Sequence, residues 1–578
     1  MVEPRSSPFS RQIVPFLYLL GILGLSTERT CVRMTRRDIS ANFDARRSVA
    51  TMRTFLLLAI SVIAILLCKI VVLVYNTYIT RKKLSHIPGP ISVPFIGTLS
   101  FLLQTEQEEH SVQVTLISRL VIGRVDWVLS LLHKFKDGIF QIWIGPQPII
   151  YLYKPELLKT VLASTVFIEK SVHYDFYKEW MGNGLLTSSG KQWVRDRKLL
   201  SPSFHFNILE QFGAIISEKI EIMLKQMEKK IAKDPRKAIN IIPIIEDMTF
   251  EIVFDTILNI NEHTRKDKTQ FITNVRRLLK LISIRINQPW FWVNWIYNLS
   301  PMGREYKKLI HNLHEFTRDI IQTKQLVYNV QNDKSQSNCD DFETAAKRKR
   351  KTLLELLLDL SKNENNMLTM EDLKSQLNTF IFASYDTTAT TLCWALYCLG
   401  NNLDHQEKVH KELEEVFQDS QEPASVMQLS QLKYLDRVMK ESIRLYPTVP
   451  SIARKIRDNI NIDDWVIPKD STVLVSIMLL HRNPAVWPNP LKFDPDRFLP
   501  ENMRYMHPYS FIPFSTGPRN CIGQRFALLE EKIILTAILR KWRVKSVDTP
   551  AEITLFDGAV LRPYQQIIRM HLSPRKEK

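Results

Sequence analysis

The sequence has few cysteines and glycines, and it lacks several patterns that mark common enzyme classes. Its six cysteines, among 578 residues, form no C-x-x-C pair, which argues against a zinc site or a disulfide scaffold and favours a reducing compartment. There are only 16 glycines, and no G-x-G-x-x-G follows a strand-like run, so no dinucleotide-binding domain is predicted. H-E-x-x-H and G-x-S-x-G do not occur, which leaves zinc proteases and serine hydrolases without their residues.

The sequence also has fewer acidic than basic residues. The 60 acidic residues face 78 lysines and arginines, which gives a net charge of +18. Such an excess suits nucleic acid, an anionic membrane surface or an acidic protein. Because no basic stripe with interleaved aromatic residues occurs, we expect no nucleic acid partner. The composition, 45% hydrophobic and 24% charged, is typical of a globular body.

The N-terminal region contains one long apolar run. Thr54–Tyr75 is broken only by one serine and one lysine, and as a helix it would span about 33 Å, enough for a hydrocarbon layer of about 30 Å. The basic residues 81–83 follow, which favours the cytosolic side of a membrane for that end. We therefore predict a transmembrane anchor over residues 52–79 and a basic hinge with a Pro-Gly-Pro sequence over residues 80–93.

Residues 1–51 fit such an anchor poorly, because their arginines place positive charge on both sides of it. We interpret them as a leader or a gene-model extension that the mature protein lacks. A mitochondrial presequence is the competing interpretation, since the segment is basic and contains serines, but a membrane span does not normally follow one. Residues 104–118 are polar without a clear period, which is typical of an insertion.

Residues 94–578 are predicted to form one domain, mainly α with small β-sheets, an α+β fold. A hairpin is expected around Gly145-Pro146, and apolar residues recur every three or four positions between Pro155 and about residue 445. The clearest predicted elements are strands Phe140–Ile144 and Ile149–Tyr153, helices Leu353–Leu360 and Leu377–Leu399, short strands between Asn459 and Val475, and a last helix over Gly523–Leu539.

The strongest motif lies near the C-terminus, where Phe514-Ser-Thr-Gly517-Pro-Arg519-Asn-Cys521-Ile-Gly523 spells F-x-x-G-x-R-x-C-x-G. A thiolate bound to haem iron donates electron density toward the trans ligand and favours O–O cleavage. The two glycines are expected to allow tight turns that bring donors to the sulfur. Phe514 is expected to shield the sulfur from water, and Arg519 to pair with a haem propionate. The helix that follows would place its positive end near the thiolate.

This motif resembles the haem-binding signature of the cytochrome P450 superfamily, and the resemblance runs from Pro88 to about Pro563. It implies the cytochrome P450 fold behind an N-terminal transmembrane helix. It also implies haem b with Cys521 as the axial metal ligand, and a monooxygenase that inserts one atom of dioxygen into a lipophilic substrate. Passages such as Trp180–Thr187 are similar to the fourth animal family, typified by fatty acid ω-hydroxylases and their insect relatives. Some members bond haem covalently through a glutamate at the position of Ala383; alanine cannot, so a non-covalent haem is expected.

Other positions match the family in the expected order. Glu441-Ser-Ile-Arg444 is an E-x-x-R pair on one helical face, and with Arg497 it resembles the family's buried charge triad. The resemblance implies that the triad supports folding and haem retention and does no chemistry. Three further cofactor-binding side chains are implied, as contacts of the haem propionates: Trp193, Arg197 and Arg454.

Phe382–Thr388 places an acid beside a hydroxyl within an apolar helix, which is costly unless the acid bonds something. The residues alone leave open that Thr387 bonds back to its own helix. The segment resembles the family's A/G-G-x-D/E-T stretch, which implies that Asp386 and Thr387 are catalytic and deliver protons during oxygen activation. The usual glycine is replaced by Ser384, a departure from the pattern that forms the oxygen pocket.

The resemblance also implies partners and a location. With no nicotinamide domain visible, a separate NADPH-cytochrome reductase is implied, and cytochrome b5 is a further candidate. The expected location is the endoplasmic reticulum membrane, with the catalytic domain facing the cytosol. By position alone, an apolar cavity for a fatty acid, a terpenoid or hormone, or a xenobiotic is predicted, lined by Tyr174, Phe176, Phe380, Val449 and Ala559–Leu561.

Two alternatives stay open. A haem-thiolate isomerase would rearrange hydroperoxides without a reductase, and the Asp386–Thr387 pair argues against it. A non-catalytic haem-binding protein is the other, and Ser384 is the residue that favours it.

Overall fold

The structure is a computed structural model that describes residues 36–93, 97–98, 124–204, 206–234, 236–259, 268–337, 352–362, 368–418, 420 and 422–575. The first 35 residues of the predicted leader and the predicted insertion at 104–118 lie outside the described residues. The chain divides into two compact units, Met1–Asn76 and Thr77–Lys578.

Helix α1, Arg36–Lys83, contains the predicted anchor. Within it, Thr51–Lys83 is 33 residues long with a mean hydropathy of 3.1 in its most apolar stretch, sufficient in length and composition to cross a membrane. Large apolar side chains such as Phe55 and Val71 are exposed along it, as a lipid-facing helix requires. The helix is longer than predicted, because it begins before residue 52 and includes the basic residues 81–83.

The segment after α1, which lies within the predicted hinge, is packed against the body. Leu84 and Ile87 are buried, and the side-chain amide of Gln141 donates to their carbonyl oxygens at 2.9 and 2.7 Å. The Gln141 N–H donates to the Pro88 carbonyl at 2.8 Å. A Cβ atom at Gly89 would lie 2.3 Å from the Gln141 carbonyl oxygen, so this close approach requires glycine.

The second unit is mainly helical, as predicted. After α1 its helices are α2 Arg124–Ser130, α3 Pro155–Leu162, α4 Asp175–Met181, α5 Gly190–Leu200, α6 Phe206–Lys233, α7 Ile242–Val253, α8 Lys268–Asn287, α9 Asn294–Leu299, α10 Pro301–Ser337, α11 Leu353–Lys362, α12 Met370–Asn401, α13 Leu403–Phe417, α14 Val426–Gln431, α15 Lys433–Leu445, α16 Ile477–His481, α17 Pro500–Met503 and α18 Gln524–Lys541. The predicted helices Leu353–Leu360 and Leu377–Leu399 lie within α11 and α12. The predicted last helix corresponds to α18, which begins one residue later than predicted. All three helices extend beyond their predicted C-terminal ends.

The strands form four small sheets. They are β1 Ser92–Val93, β2 Gly97–Thr98, β3 Ile139–Ile144, β4 Gln147–Leu152, β5 Ile239–Asn240, β6 Ser451–Lys455, β7 Ile460–Ile462, β8 Trp465–Ile467, β9 Thr472–Ser476, β10 Trp542–Ser546, β11 Leu555–Asp557, β12 Leu561–Pro563 and β13 Arg569–Pro574. The largest sheet has the order β1-β2-β3-β4-β9-β6, and the others are β10-β13-β5, β11-β12 and β7-β8. The predicted hairpin is β3–β4, which turns at Gly145 with a φ of 57°.

Helix α12 runs through two hydrophobic cores. It begins at a capping box, in which Thr369 and Asp372 exchange side-chain to backbone hydrogen bonds. Its residues from Leu373 to Tyr385 pack in one core, and those from Ala389 to Leu399 pack in the other. The polar residues 386–388 therefore lie at the seam between the two cores, where a buried acid can reach partners from other elements.

Candidate active site

The cysteine loop is closed by its own backbone. The Cys521 N–H donates to the Phe514 carbonyl at 3.0 Å, and the Asn520 N–H donates to the Gly517 carbonyl at 3.1 Å. Ser515, with a φ of 59°, and Gly517, with a φ of 73°, make the left-handed turns. Phe514 thus closes the loop through its carbonyl, while its side chain is half-buried.

The two motif glycines differ in backbone conformation. A Cβ atom at Gly517 would lie 1.9 Å from the Leu162 carbonyl oxygen, so the loop sits directly on the end of α3 and needs glycine there. Gly523 has a φ of −89°, and a Cβ atom there would meet no protein atom within 4 Å. The backbone at Gly523 therefore has a conformation that other residues adopt, and the left-handed turns of the loop are made at Ser515 and Gly517.

The sulfur of Cys521 lies at the start of α18. Burial raises the pKa of the Cys521 thiol, whereas the N–H groups of Gly523 and Gln524 and the positive charge of Arg197 act in the opposite direction. These donors favour the thiolate, as predicted for the positive end of a helix.

Arg197 and Arg519 bind the protein around this loop. Arg197, on α5, donates to the carbonyl and the side-chain oxygen of Asn520, both at 2.8 Å. Arg519 donates to the Ile168 carbonyl at 2.9 Å and stacks 4.3 Å from the centre of the Trp193 ring. Both guanidiniums therefore fix the loop to neighbouring elements, and each retains donor atoms for a further anion.

A group of cations surrounds Arg519. Arg454 is buried on β6, and Lys170 forms a backbone bridge with it. Burial and the charge of Arg454 lower the pKa of Lys170 well below its usual range, and lower that of Arg519 to about 9. Within the described part of the chain none of the three forms an ion pair with a carboxylate, and Lys170 lies 4.1 Å from the Tyr174 ring instead.

This donor set fits a haem. Three partly buried cations that repel one another are costly until anions join them, and a haem carries two propionates. The thiol of Cys521, with N–H donors behind it, supplies the axial ligand type. Lys170 was missed from the sequence, because a lone lysine between α3 and α4 has no motif, and its place beside the other cations is shown only by its bridge to Arg454.

Asp386 and Thr387 are both present on α12 but do not bond each other. The Thr387 hydroxyl donates to the Ala383 carbonyl at 2.7 Å, which is the local alternative that the residues left open. Asp386 is buried and accepts a hydrogen bond from Arg562. The two residues are thus neighbours in sequence, but the Asp386 carboxyl group pairs with Arg562 of the β11–β12 hairpin.

The charge triad is assembled as predicted. Glu441 and Arg444 are fully buried and pair in a two-bonded arrangement, at 2.6 and 2.8 Å. Arg497 approaches Glu441 at 3.4 Å. Arg444 also donates to the carbonyl oxygens of His481 and Pro490, at 2.7 and 2.8 Å, so the pair joins α15 to the end of α16 and to the segment that follows it.

Two buried carboxyl groups follow the cysteine on α18. Burial raises the pKa of Glu531 to about 8, and burial and the charge of Glu531 raise that of Glu530 well above its usual range. When both carboxyl groups are neutral, they add no negative charge near the Cys521 thiolate.

Glu531→Gln is expected to change how stability depends on pH. Between its ordinary pKa of 4.5 and its folded value of about 8, the folded chain holds a proton that the unfolded chain has released. The free energy of unfolding therefore falls with rising pH across this window, by about 1.4 kcal/mol per pH unit from this group, and glutamine removes that contribution. Denaturant unfolding between about pH 5 and pH 7 measures the slope; the same slope in both proteins would contradict a neutral Glu531.

The chain is similar to known proteins over most of its length. The family model for cytochrome P450 matches residues 120–570. Cytochrome P450 4V2 of Rattus norvegicus is 39% identical over 442 residues, which cover 75% of this chain and 82% of that protein. Cytochrome P450 4c3 of Drosophila melanogaster is 33% identical, over 88% of this chain and 93% of that protein. Cytochrome P450 4c21 of Blattella germanica is 34% identical, with coverages of 86% and 96%.

A solved structure has the same fold. The crystal structure of the cytochrome P450DA heme domain superposes with a TM-score of 0.66, although its sequence is only 22% identical. The match covers 85% of this chain and 98% of that one. The predicted fold, with its helical body and small sheets, is confirmed.

Proposed function

Since the chain belongs to the cytochrome P450 family, it is a haem monooxygenase with a cysteine-ligated haem b, and we propose that Cys521 is the ligand. The observation that supports this assignment most is the thiol at the end of a loop closed by the Phe514 carbonyl, with the N–H groups of α18 behind it. No other described cysteine has such a setting: Cys393 and Cys398 are buried inside α12, and Cys68 is in α1.

The residues around the loop hold the cofactor in this proposal. When bound, the haem iron supplies the binding and reductive activation of dioxygen. Lys170, Arg454 and Arg519 bind the two propionates through charge-assisted hydrogen bonds. Arg197 and Trp193 act through the loop. Arg197 donates to Asn520, next to the ligand, and the Trp193 ring packs against the Arg519 guanidinium.

We assign proton delivery to Asp386 and Thr387. Each turnover consumes two electrons and two protons, places one oxygen atom in the substrate and releases the other as water. The Asp386 carboxylate takes up and gives up the proton at Oδ2, and Thr387 passes it on once its hydroxyl turns away from the Ala383 carbonyl. The acid need not touch the hydroxyl directly, since one water can join them.

The substrate of this chain is lipophilic, and we propose a fatty acid, a terpenoid or hormone, or a xenobiotic. Phe380 of α12 stacks with Phe204 at 5.4 Å between ring centres. The same apolar cluster contains Val560 from the loop before β12, and Ile522, next to the cysteine, packs against it. An aliphatic chain that lies on this cluster would reach the neighbourhood of the cysteine loop.

Electrons reach the site from a separate reductase, as the family implies, and we propose NADPH-cytochrome reductase with cytochrome b5 as a second donor. The apolar part of α1 associates the chain with a membrane. We propose the endoplasmic reticulum, with the body on the cytosolic side, because Lys82 and Lys83 end the helix and are exposed. The proposed parts of the chain are a leader over 1–51, the anchor over 52–79, a connecting segment over 80–93 and the monooxygenase over 94–578.

The experiment is a carbon monoxide difference spectrum of the dithionite-reduced protein, followed by turnover. We expect the red-shifted Soret band of a thiolate-ligated haem, and hydroxylated products from fatty acids or terpenoids only when both reductase and NADPH are present. The matched control is the same mixture without reductase. Rearrangement of hydroperoxides in that control, with no NADPH-dependent product, would instead support the isomerase, and no haem binding would refute the proposal.

A further inference from the structure

Asp386 belongs to a buried network of charged side chains that no sequence pattern predicts. Its Oδ1 accepts a hydrogen bond from Arg562 of β12. The other terminal nitrogen of Arg562 donates to Glu246 of α7 at 2.7 Å. The second oxygen of Glu246 pairs with Arg276 of α8. Two carboxylates and two guanidiniums thus alternate, so their charges balance.

The network reaches from the seam of α12 towards solvent. Asp386 and Glu246 are each 1% exposed and Arg562 is 6% exposed, whereas the side chain of Arg276 is 30% exposed. Three of the four groups are therefore buried, and removing one member of a buried ion pair leaves its partner without compensation. Among the described contacts, Arg562 pairs with Asp386, whereas Arg276 pairs only with Glu246.

One oxygen of the acid is left over. Asp386 Oδ2 is buried and has no hydrogen-bond partner within the described residues. A small cavity of about 10 Å³, room for one water molecule, lies beside the network, lined by Glu246, Thr390, Cys393 and Arg562 among others. Arg562 therefore occupies one face of the carboxylate and leaves the other oxygen for a proton.

We propose that Arg562 is a positioning residue that holds the Asp386 carboxyl group oriented for proton delivery, an inference that rests on the proposed function. Arg562 follows the proposed substrate loop 559–561 directly. That loop is fixed on both sides, since the Leu561 N–H donates to the Thr448 carbonyl at 2.8 Å and Trp394 donates to the Leu561 carbonyl at 2.9 Å. Val560, which belongs to the same apolar cluster as Phe380, is two residues from Arg562. Substrate contact and acid position are thereby linked through one short strand.

The link predicts what happens when the acid is misplaced. In productive turnover, dioxygen, substrate, two electrons from NADPH and two protons give hydroxylated substrate and water. In unproductive turnover, dioxygen with the same two electrons and two protons gives hydrogen peroxide, and the substrate is unchanged. A proton delivered from the wrong position favours the second outcome, so Arg562 controls coupling, the ratio of product formed to NADPH consumed.

The test compares R562Q, R562K and the control R569Q in the reductase-supported system. Arg569 lies on β13 and pairs with Asp548 near the surface, with its side chain 52% exposed, so R569Q is expected to keep wild-type coupling. We expect R562Q to lower coupling about tenfold, with KM and the substrate-induced Soret shift changed less than about twofold. R562K keeps the charge but cannot bridge two carboxylates in the same way, and we expect about a threefold fall.

A double variant tests whether Arg562 acts through the acid. If D386N alone already lowers coupling about tenfold, adding R562Q should lower it less than about twofold further. Effects that multiply would overturn the inference, and so would wild-type coupling in R562Q. If R562Q fails to bind haem, coupling is measured in R562K instead, and wild-type coupling in R562K would overturn the inference. A wild-type protein without NADPH-dependent product would instead refute the proposed function, so the two failures are distinct.

Discussion

Cys521→Ala is expected to abolish the red-shifted Soret band of the reduced carbon monoxide complex, and with it monooxygenation. The alanine has no sulfur to bind the iron, although the loop would stay closed, because its hydrogen bonds involve the backbone of Phe514 and Gly517. Outer residues around metal ligands typically cost about 10- to 100-fold when removed, so loss of the ligand itself should reduce product by at least about 100-fold. The difference spectrum and product formation with reductase and NADPH measure both effects.

Cys398→Ala is the control, because Cys398 is a cysteine that lies within α12 and outside the cysteine loop. We expect it to retain the band and at least half of the product. If Cys521→Ala kept an unaltered Soret band while Cys398→Ala lost it, the ligand would be assigned to the wrong cysteine.

Arg444→Ala is expected to prevent the chain from holding haem, by destabilising the fold. The substitution leaves Glu441 as a fully buried carboxylate without its main partner, and it removes donors from the carbonyl oxygens of His481 and Pro490. Breaking a buried pair by removing one member costs about 3–5 kcal/mol, a large part of the about 5–15 kcal/mol that stabilises most folded proteins. Thermal unfolding and the haem content of the purified protein measure the loss.

Arg437→Ala on the same helix is the comparison. Arg437 pairs with Asp496 at 3.3 Å, and both side chains are partly exposed, so its loss should cost less than about 1 kcal/mol. Equal stability losses in the two variants would show that burial of the Glu441–Arg444 pair is not what makes it important.

Local patterns made much of this site predictable. The F-x-x-G-x-R-x-C-x-G motif lies in one loop, and Glu441 and Arg444 are three residues apart on one helix. Because the interacting residues are close in sequence, a pattern is enough to identify them. The β3–β4 hairpin and α12 follow in the same way from Gly145 and from apolar periodicity. These features depend on neighbours in sequence, which a pattern can show.

The remaining features depend on contacts between distant segments. Arg562 meets Asp386 across 176 positions, and Arg197 meets Asn520 across 323, so neither partner could be identified before the fold was known. The segment after α1 was predicted as a hinge because Pro88-Gly89-Pro90 breaks a helix. It packs instead, since Gly89 allows the chain to approach Gln141 and the two apolar residues before it are buried.

The packing of Leu84 and Ile87 onto β3 also decides where the chain can be shortened. A truncated protein without the membrane helix should retain Leu84, because that side chain is wholly buried and its carbonyl is held by Gln141. Cutting after the Pro-Gly-Pro sequence would uncover an apolar patch on the sheet and invite aggregation. A water-soluble version suited to crystallisation therefore begins a few residues before that leucine.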